Sequence, residues 1–219
     1  MVTEPSTALG ASASSEFSWL ELSAISIIPG LIAGVDEVGR GALFGPVVAA
    51  AVILPTCAFP ELMAADIKDS KKLSSSRRTQ LAQLISALAI DWRIGFASTA
   101  EIDRINILQA TLLAMKRAVQ KLKVQPAICL VDGNQLVKEL LLPQKTIVKG
   151  DERSLNIAAA SIVAKVWRDE LVLRLAAKYP MYDIASNKGY SSQKHLLALR
   201  KYGPSPLHRK SFRPCQIEC

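Results

Sequence analysis

The chain has 219 residues, of which 50% are hydrophobic and 21% charged, so it can build one substantial core and is neither a fibrous nor a disordered protein. Its net charge is +8; the first 29 residues hold three acids and no Lys or Arg, so the remainder carries +11, a balance suited to a polyanionic partner. No apolar run approaches the ~18 residues of a membrane span, the N-terminus lacks the basic start of a secretory signal, and Cys57, Cys129, Cys215 and Cys219 form no C-x-x-C pair, which reads as free thiols in a reducing compartment. A cytoplasmic, membrane-free protein is the expectation.

In chain order, residues 1–15 are small and polar and 17–28 are apolar, so 1–29 reads as a variable, partly disordered extension. Residues 31–36 form a short apolar strand ending in the adjacent carboxylates Asp36 and Glu37, followed by the turn Gly39-Arg40-Gly41. A second strand covers 47–54. After a loop with Asp66, Asp69 and Lys71-Lys72, Ser74 or Ser75 can cap a helix over 76–90. A third strand spans 92–98. Ile102, Ile105, Leu108, Leu112, Met115, Val119 and Leu122 then recur at three- and four-residue steps, one face of an amphipathic helix. A strand over 127–131 ends at Asp132-Gly133-Asn134, and another over 145–148 ends at Lys149-Gly150-Asp151. A long helix over 154–178 stops before Pro180. A core over 30–180 is thus followed by a small basic segment, 181–219, with a helix near 192–201.

This order predicts an α/β protein with a mixed sheet flanked by helices, whose functional groups gather beyond the strand ends. Asp36, Glu37, Asp132 and Asp151 converge there if the first, fourth and fifth strands are parallel neighbours. Four carboxylates at close range repel one another, and oxygen-seeking divalent cations such as Mg²⁺ remove the conflict. Two such ions can assist hydrolysis of a phosphodiester without a histidine base. Singly, Asp132-Gly133-Asn134 is an ordinary turn and Lys149-Gly150-Asp151 a loop before a helix cap; jointly, at three strand ends, they favour a metal site. A dinucleotide fold fails, because G-x-G-x-x-G needs glycine where Phe44 stands and the preceding acids repel pyrophosphate.

Ser70-Lys71-Lys72 offers a hydroxyl and two ammonium groups to phosphates, or is a solvated charge cluster. Tyr190, in Lys188-Gly189-Tyr190, can stack on a sugar or base and reach a ribose 2′-hydroxyl, or simply pack. Lys194, His195, His208, Arg209, Lys210 and Arg213 read as a continuing positive surface. A purely electrostatic nucleic-acid-binding module and a small-molecule phosphatase are the competing readings.

From about Ile32 to Arg213 the sequence closely resembles the ribonuclease HII (type 2 ribonuclease H) family. The motifs are Ala33-Gly-Val-Asp-Glu-Val-Gly-Arg-Gly41, Asp69-Ser-Lys-Lys-Leu73, Ile105-Asn-Ile-Leu-Gln-Ala-Thr111, Val131-Asp-Gly-Asn134, Val148-Lys-Gly-Asp151, Ala159-Ala-Ser-Ile-Val-Ala-Lys-Val166 with Arg168-Asp169, Lys188-Gly-Tyr190 and His208-Arg-Lys-Ser-Phe212. The resemblance implies a ribonuclease H-like fold, a five-stranded mixed sheet with flanking helices and a small helical C-terminal part. It implies an endoribonuclease that cuts the RNA strand of RNA–DNA hybrids, and that cleaves 5′ of single ribonucleotides in duplex DNA to leave 3′-hydroxyl and 5′-phosphate ends; a monomer is the default expectation. Asp36, Glu37, Asp132 and Asp151 would be the catalytic acids and ligands of two Mg²⁺ or Mn²⁺ ions, with Asp36 bridging. Gly39, Arg40 and Gly41 would read the 2′-hydroxyl, Tyr190 would pack at the ribonucleotide junction, and Ser70 and Lys71 would hold phosphates. Asp169 is expected on the long helix in a structural role. Asn187 stands where many members have histidine, and Ser191-Ser192 replace a more usual Pro-Thr; both bear on substrate preference, not on the acids.

Overall fold

Short runs of small and β-branched residues, too brief for helices and rich in Val, Ile and Ala, form the sheet. The computed structural model describes residues 30–67 and 73–216. Among them β1 (Ile32–Val38) pairs antiparallel with β2 (Val47–Ile53), and β2 pairs antiparallel with β3 (Asp91–Ala97). On its other side β1 runs parallel to β4 (Ile128–Asp132), which runs parallel to β5 (Gln144–Ile147). The sheet order is β3-β2-β1-β4-β5. The first, fourth and fifth strands are therefore parallel neighbours, as the convergence of the acids requires.

Helices cover both faces. They are α1 (Phe59–Ala64), α2 (Ser75–Leu88), α3 (Thr99–Gln120), α4 (Leu155–Ala176), α5 (Ile184–Asn187) and α6 (Gln193–Tyr202). Ala33, Val35, Ala49 and Ala51 face α3, against Ile102, Ala114 and Met115. Ala50 and Val52 face α2 and α4, against Leu81, Ile85 and Ala159. With both faces covered, every residue of β2 is buried, and the strand reads as an unbroken apolar run rather than an alternating one. The approach of α4 is closest at Gly34, where a Cβ would lie 2.1 Å from the main-chain carbon of Asn156. The Asn156 side chain secures this contact by accepting a hydrogen bond from the Leu54 N–H at 2.8 Å.

Element boundaries fall within about two residues of those expected. Ser74 caps α2 through the Arg77 N–H, and Ser98 and Glu101 form a capping box on α3. The expected face of α3 is interrupted. Asn106 adopts φ 65° and ψ 166° and accepts the Gln109 N–H on its own side chain, restarting the helix. Leu108 is turned outward in consequence and is 37% exposed, while Ile102, Leu112 and Met115 are buried. Helix α1 has no counterpart in the sequence pattern, being too short for periodicity to reveal.

The segment after α4 packs back onto the core. Val172 and Ala176 of α4 join Leu43, Phe44, Tyr182, Ile184, Ala198 and Leu199 in one cluster. Cys57, Cys129 and Cys215 are free, and burial pushes the Cys129 thiol up to about 12. No helix among the described residues is long and apolar enough to cross a membrane. The expected N-terminal extension, together with Ser70 and Lys71, lies outside the described residues.

Candidate active site

Strand alternation decides which side chains meet. On β1, Gly34 and Asp36 face α4; on β4, Leu130 pairs with Gly34 in register, which puts Asp132 on the same face beside Asp36. One carboxylate oxygen from each of Asp36, Glu37 and Asp132 lies within 4.8 Å of the other two. Asp36 is 5% exposed and accepts the Glu37 N–H at 2.7 Å. Asp132 accepts the Gly150 N–H at 2.7 Å. Asp151 follows in a 3-10 turn, Gly150–Glu152, beyond β5, and lines the same cavity of about 420 Å³ as the other three acids.

The electrostatics fit a cation. Burial first, then the charges of Glu37 and Asp132, hold the Asp36 carboxyl well above the usual carboxylate range, against a hydrogen bond from Ser161. Burial also raises Glu37, with the Arg40 guanidinium opposing and Asp132 reinforcing the shift. All-oxygen donors converging under mutual repulsion suit a hard divalent ion and not a soft or nitrogen-seeking one. Asp36, Glu37 and Asp132 are placed to hold it, with Asp151 lining the same cavity.

The rest of the lining includes basic and aromatic side chains. Arg40 reaches Glu37 at 3.3 Å and is half exposed. Gly39 has φ +88°, and a Cβ there would lie 2.2 Å from Arg168 Nε, so the turn is closed to other residues. At Gly41 nothing lies within 4 Å of such a Cβ, leaving that side of the turn clear. Tyr190 lines the cavity with Arg40, its ring lying 5.7 Å from Lys165 Nζ and 5.4 Å from Arg168 Cζ. Asn187 positions this loop by accepting the Gly189 N–H at 2.7 Å and donating to Tyr182 O at 2.9 Å.

Part of the expected positive surface is interior. Lys194, Lys210 and Arg213 are exposed, but His195, His208 and Arg209 are 0%, 1% and 0% exposed. His195 Nε2 lies 2.9 Å from His208 Nε2, while His195 Nδ1 lies 2.8 Å from Tyr190 O. Ser205 N–H donates to His208 Nδ1 at 2.9 Å. The pair is neutral and internally satisfied, which a cluster of basic letters conceals. Residues not anticipated also line the cavity: Arg78, Ser161 and Lys165. Arg168 is wholly buried, and a signal for it existed, since Ala164, Arg168 and Val172 fall at four-residue steps on the buried face of α4. Asp169 sits on α4 as expected, paired with Lys165 at 2.9 Å.

A ribonuclease H-like sheet with clustered acids at the ends of parallel strands defines a metal-dependent nuclease. The family model described as ribonuclease HII matches residues 33–215. A ribonuclease HII from Nostoc sp. (strain PCC 7120) is 78% identical over 200 residues, covering 91% of this chain and 89% of the relative. The ribonuclease H2 of Pyrococcus horikoshii superposes with a TM-score of 0.74 at 25% identity, covering 85% of this chain and 95% of that one. Bst-RNase HIII in complex with Mn²⁺ shares the fold, with a TM-score of 0.70 at 20% identity over 89% of this chain and 71% of that one. The chain belongs to the ribonuclease HII family and is a metal-dependent endoribonuclease of the type 2 ribonuclease H class, active on RNA–DNA hybrids.

Proposed function

We propose that the protein cleaves 5′ of single ribonucleotides embedded in duplex DNA, as well as within hybrids, using two Mg²⁺ or Mn²⁺ ions and leaving 3′-hydroxyl and 5′-phosphate ends. The observation that supports this reading is one cavity lined both by Asp36, Glu37, Asp132 and Asp151 and by Arg40 and Tyr190. Substrate recognition and hydrolysis share that space. When bound, the ions supply an activated water and stabilise the leaving oxygen. The four acids would hold the ions, Asp36 being the most buried of them. The 39–41 turn presents main-chain groups and Arg40 to the ribose 2′-hydroxyl, the group that distinguishes RNA from DNA. Tyr190 packs against the sugar at the ribonucleotide–deoxyribonucleotide junction. Ser70 and Lys71 complete the phosphate contacts. Substrate binds to a monomer.

The test is incubation with a duplex containing one ribonucleotide, with and without Mg²⁺ or Mn²⁺. Metal-dependent incision at the single 5′ position is expected. Binding without incision would favour an electrostatic binding module, and hydrolysis of small phosphate esters alone would favour a phosphatase.

A further inference from the structure

Two arginines are buried behind the cavity, and their guanidinium hydrogen bonds run to main-chain carbonyls of the recognition loops. Arg209 donates through Nη2 to Gly39 O and through Nη1 to Arg40 O, both at 2.7 Å, and through Nε to Gly45 O at 3.0 Å. Arg168 donates through Nη2 to Phe44 O at 3.1 Å, through Nε to Pro46 O at 3.2 Å and through Nη1 to Lys188 O at 3.0 Å. Its guanidinium also lies 5.4 Å from the Tyr190 ring. The same loops are stitched together directly, since Leu43 N–H donates to Gly189 O at 2.7 Å and Arg209 N–H donates to Leu43 O at 2.9 Å.

A buried charge is costly to keep unless its fork is fully used. Packing alone would be served as well by an apolar side chain of similar volume. What the planar guanidinium adds is a fixed angle between several donors, which a lysine ammonium cannot reproduce. The Arg168 fork sets that angle between the 39–46 loop and the 188–190 turn, and the Arg209 fork sets it between the two ends of the 39–46 loop, which Leu43 joins to Gly189.

We propose that Arg168 and Arg209 are positioning residues for substrate choice, tying the 39–41 turn and Tyr190 into one unit so that ribose is read by both halves together or by neither. This rests on the reading of those two elements as the 2′-hydroxyl reader. Neither arginine touches substrate; each acts through the carbonyls it holds.

The experiment measures Kd, in an inactive Asp151→Asn background, for duplex DNA with one ribonucleotide and for the same duplex in all-deoxy form. The ratio of the two constants is the readout, because general loss of fold or charge changes both alike. Arg168→Lys and Arg209→Lys are each expected to reduce the ratio roughly fivefold or more, with the all-deoxy Kd changing less than about twofold. The double variant is expected to lose no more than the worse single one. Folded lysine variants that keep the parental ratio, or effects that multiply in the double variant, overturn the proposal while leaving the 2′-hydroxyl reader standing. A parent without preference for the ribonucleotide duplex overturns both. Amide hydrogen exchange on the wild-type chain decides the matter without any variant folding: residues 39–46 and 188–190 are expected to open with one shared free energy, and independent openings overturn the coupling.

Discussion

Asp132 accepts, at 2.7 Å, the main-chain N–H of Gly150, the residue immediately before Asp151. The bond locks the turn after β5 onto the end of β4 across 18 positions, and so fixes where Asp151, the next residue, stands relative to Asp132. The site at Gly150 is also tight: a Cβ there would lie 2.5 Å from Ile157 Cδ1 and 3.2 Å from Asp132 Oδ1.

Gly150→Ala is therefore expected to shift the turn that carries Asp151. Stability falls by about 1–2 kcal/mol from overpacking, and kcat falls about tenfold or more from misplacement of an acid. Steady-state cleavage of a hybrid, with a urea melt alongside, checks both. An unchanged kcat would show that the spacing of Asp132 and Asp151 does not matter to turnover.

The carboxylate cluster is strained while no cation is bound, and this sets the sign of a second effect. Asp36→Asn keeps an acceptor for the Glu37 N–H but removes one buried negative charge. In metal-free buffer the variant is expected to be more stable than the wild type by about 1 kcal/mol, roughly 2–4 °C in Tm. It should also gain less stability from Mg²⁺, lose cleavage, and retain duplex binding. Asp151→Asn should likewise abolish cleavage with binding intact. Thermal melts with and without Mg²⁺ test the first claim, and an Asp36→Asn protein less stable than wild type without metal would refute it.

How much of this was readable beforehand follows from how local each signal is. The cluster of Asp36, Glu37 and Asp132 is legible because β1 and β4 are short apolar runs ending in these acids, and strand alternation then puts Asp36 and Asp132 on one face. Their meeting needed only the parallel order of β1, β4 and β5. Arg209 and His208 are not surface residues, and the basic stretch conceals this because much of what buries them is distant in sequence. Their partners are Gly39, Arg40 and Gly45, more than 160 positions away, and Phe44 across an isolated bridge. A basic stretch without helical period defaults to a solvated face. Leu108 was misplaced for the opposite reason: the three-and-four step continued through Asn106, while the backbone did not.

In the proposed reader of ribose, a main-chain turn is accompanied by two side chains, Arg40 and Tyr190, that can be substituted without changing the turn's own residues at 39 and 41. Arg40 is half exposed and its pairing with Glu37 spans 3.3 Å, so Arg40→Ala should cost little stability, within about 0.5 kcal/mol. Tyr190→Phe keeps the ring between Lys165 and Arg168 and removes only the hydroxyl. Both variants are expected to keep metal-dependent cleavage while discriminating ribose from deoxyribose about tenfold less well. Initial rates on matched duplexes differing at one sugar give the ratio. Unchanged selectivity in both would remove these side chains from the reader.

Acid should weaken the fold through the buried imidazoles, and the direction can be worked out. Burial, and then the neighbouring His195, pull His208 down to about 4, whereas an unfolded histidine titrates near ~6.5. The unfolded chain thus binds the proton first, so the contribution is fully present above pH ~6.5 and is lost as pH falls toward 4. The shift is worth on the order of 3 kcal/mol over that window, and burial lowers His195 in the same direction. The chain has only these 2 histidines, but Asp36 and Glu37, both raised, act with the opposite sign, since protonation favours their folded state. Comparison with His208→Asn cancels the carboxylates. The variant should be less stable than wild type at pH 7, and the gap should narrow steadily by pH 5 in urea titrations. A gap that stays constant across that range would mean that His208 takes up its proton in the folded protein as readily as in the unfolded chain, so that its Nδ1 is not held as the acceptor of the Ser205 N–H.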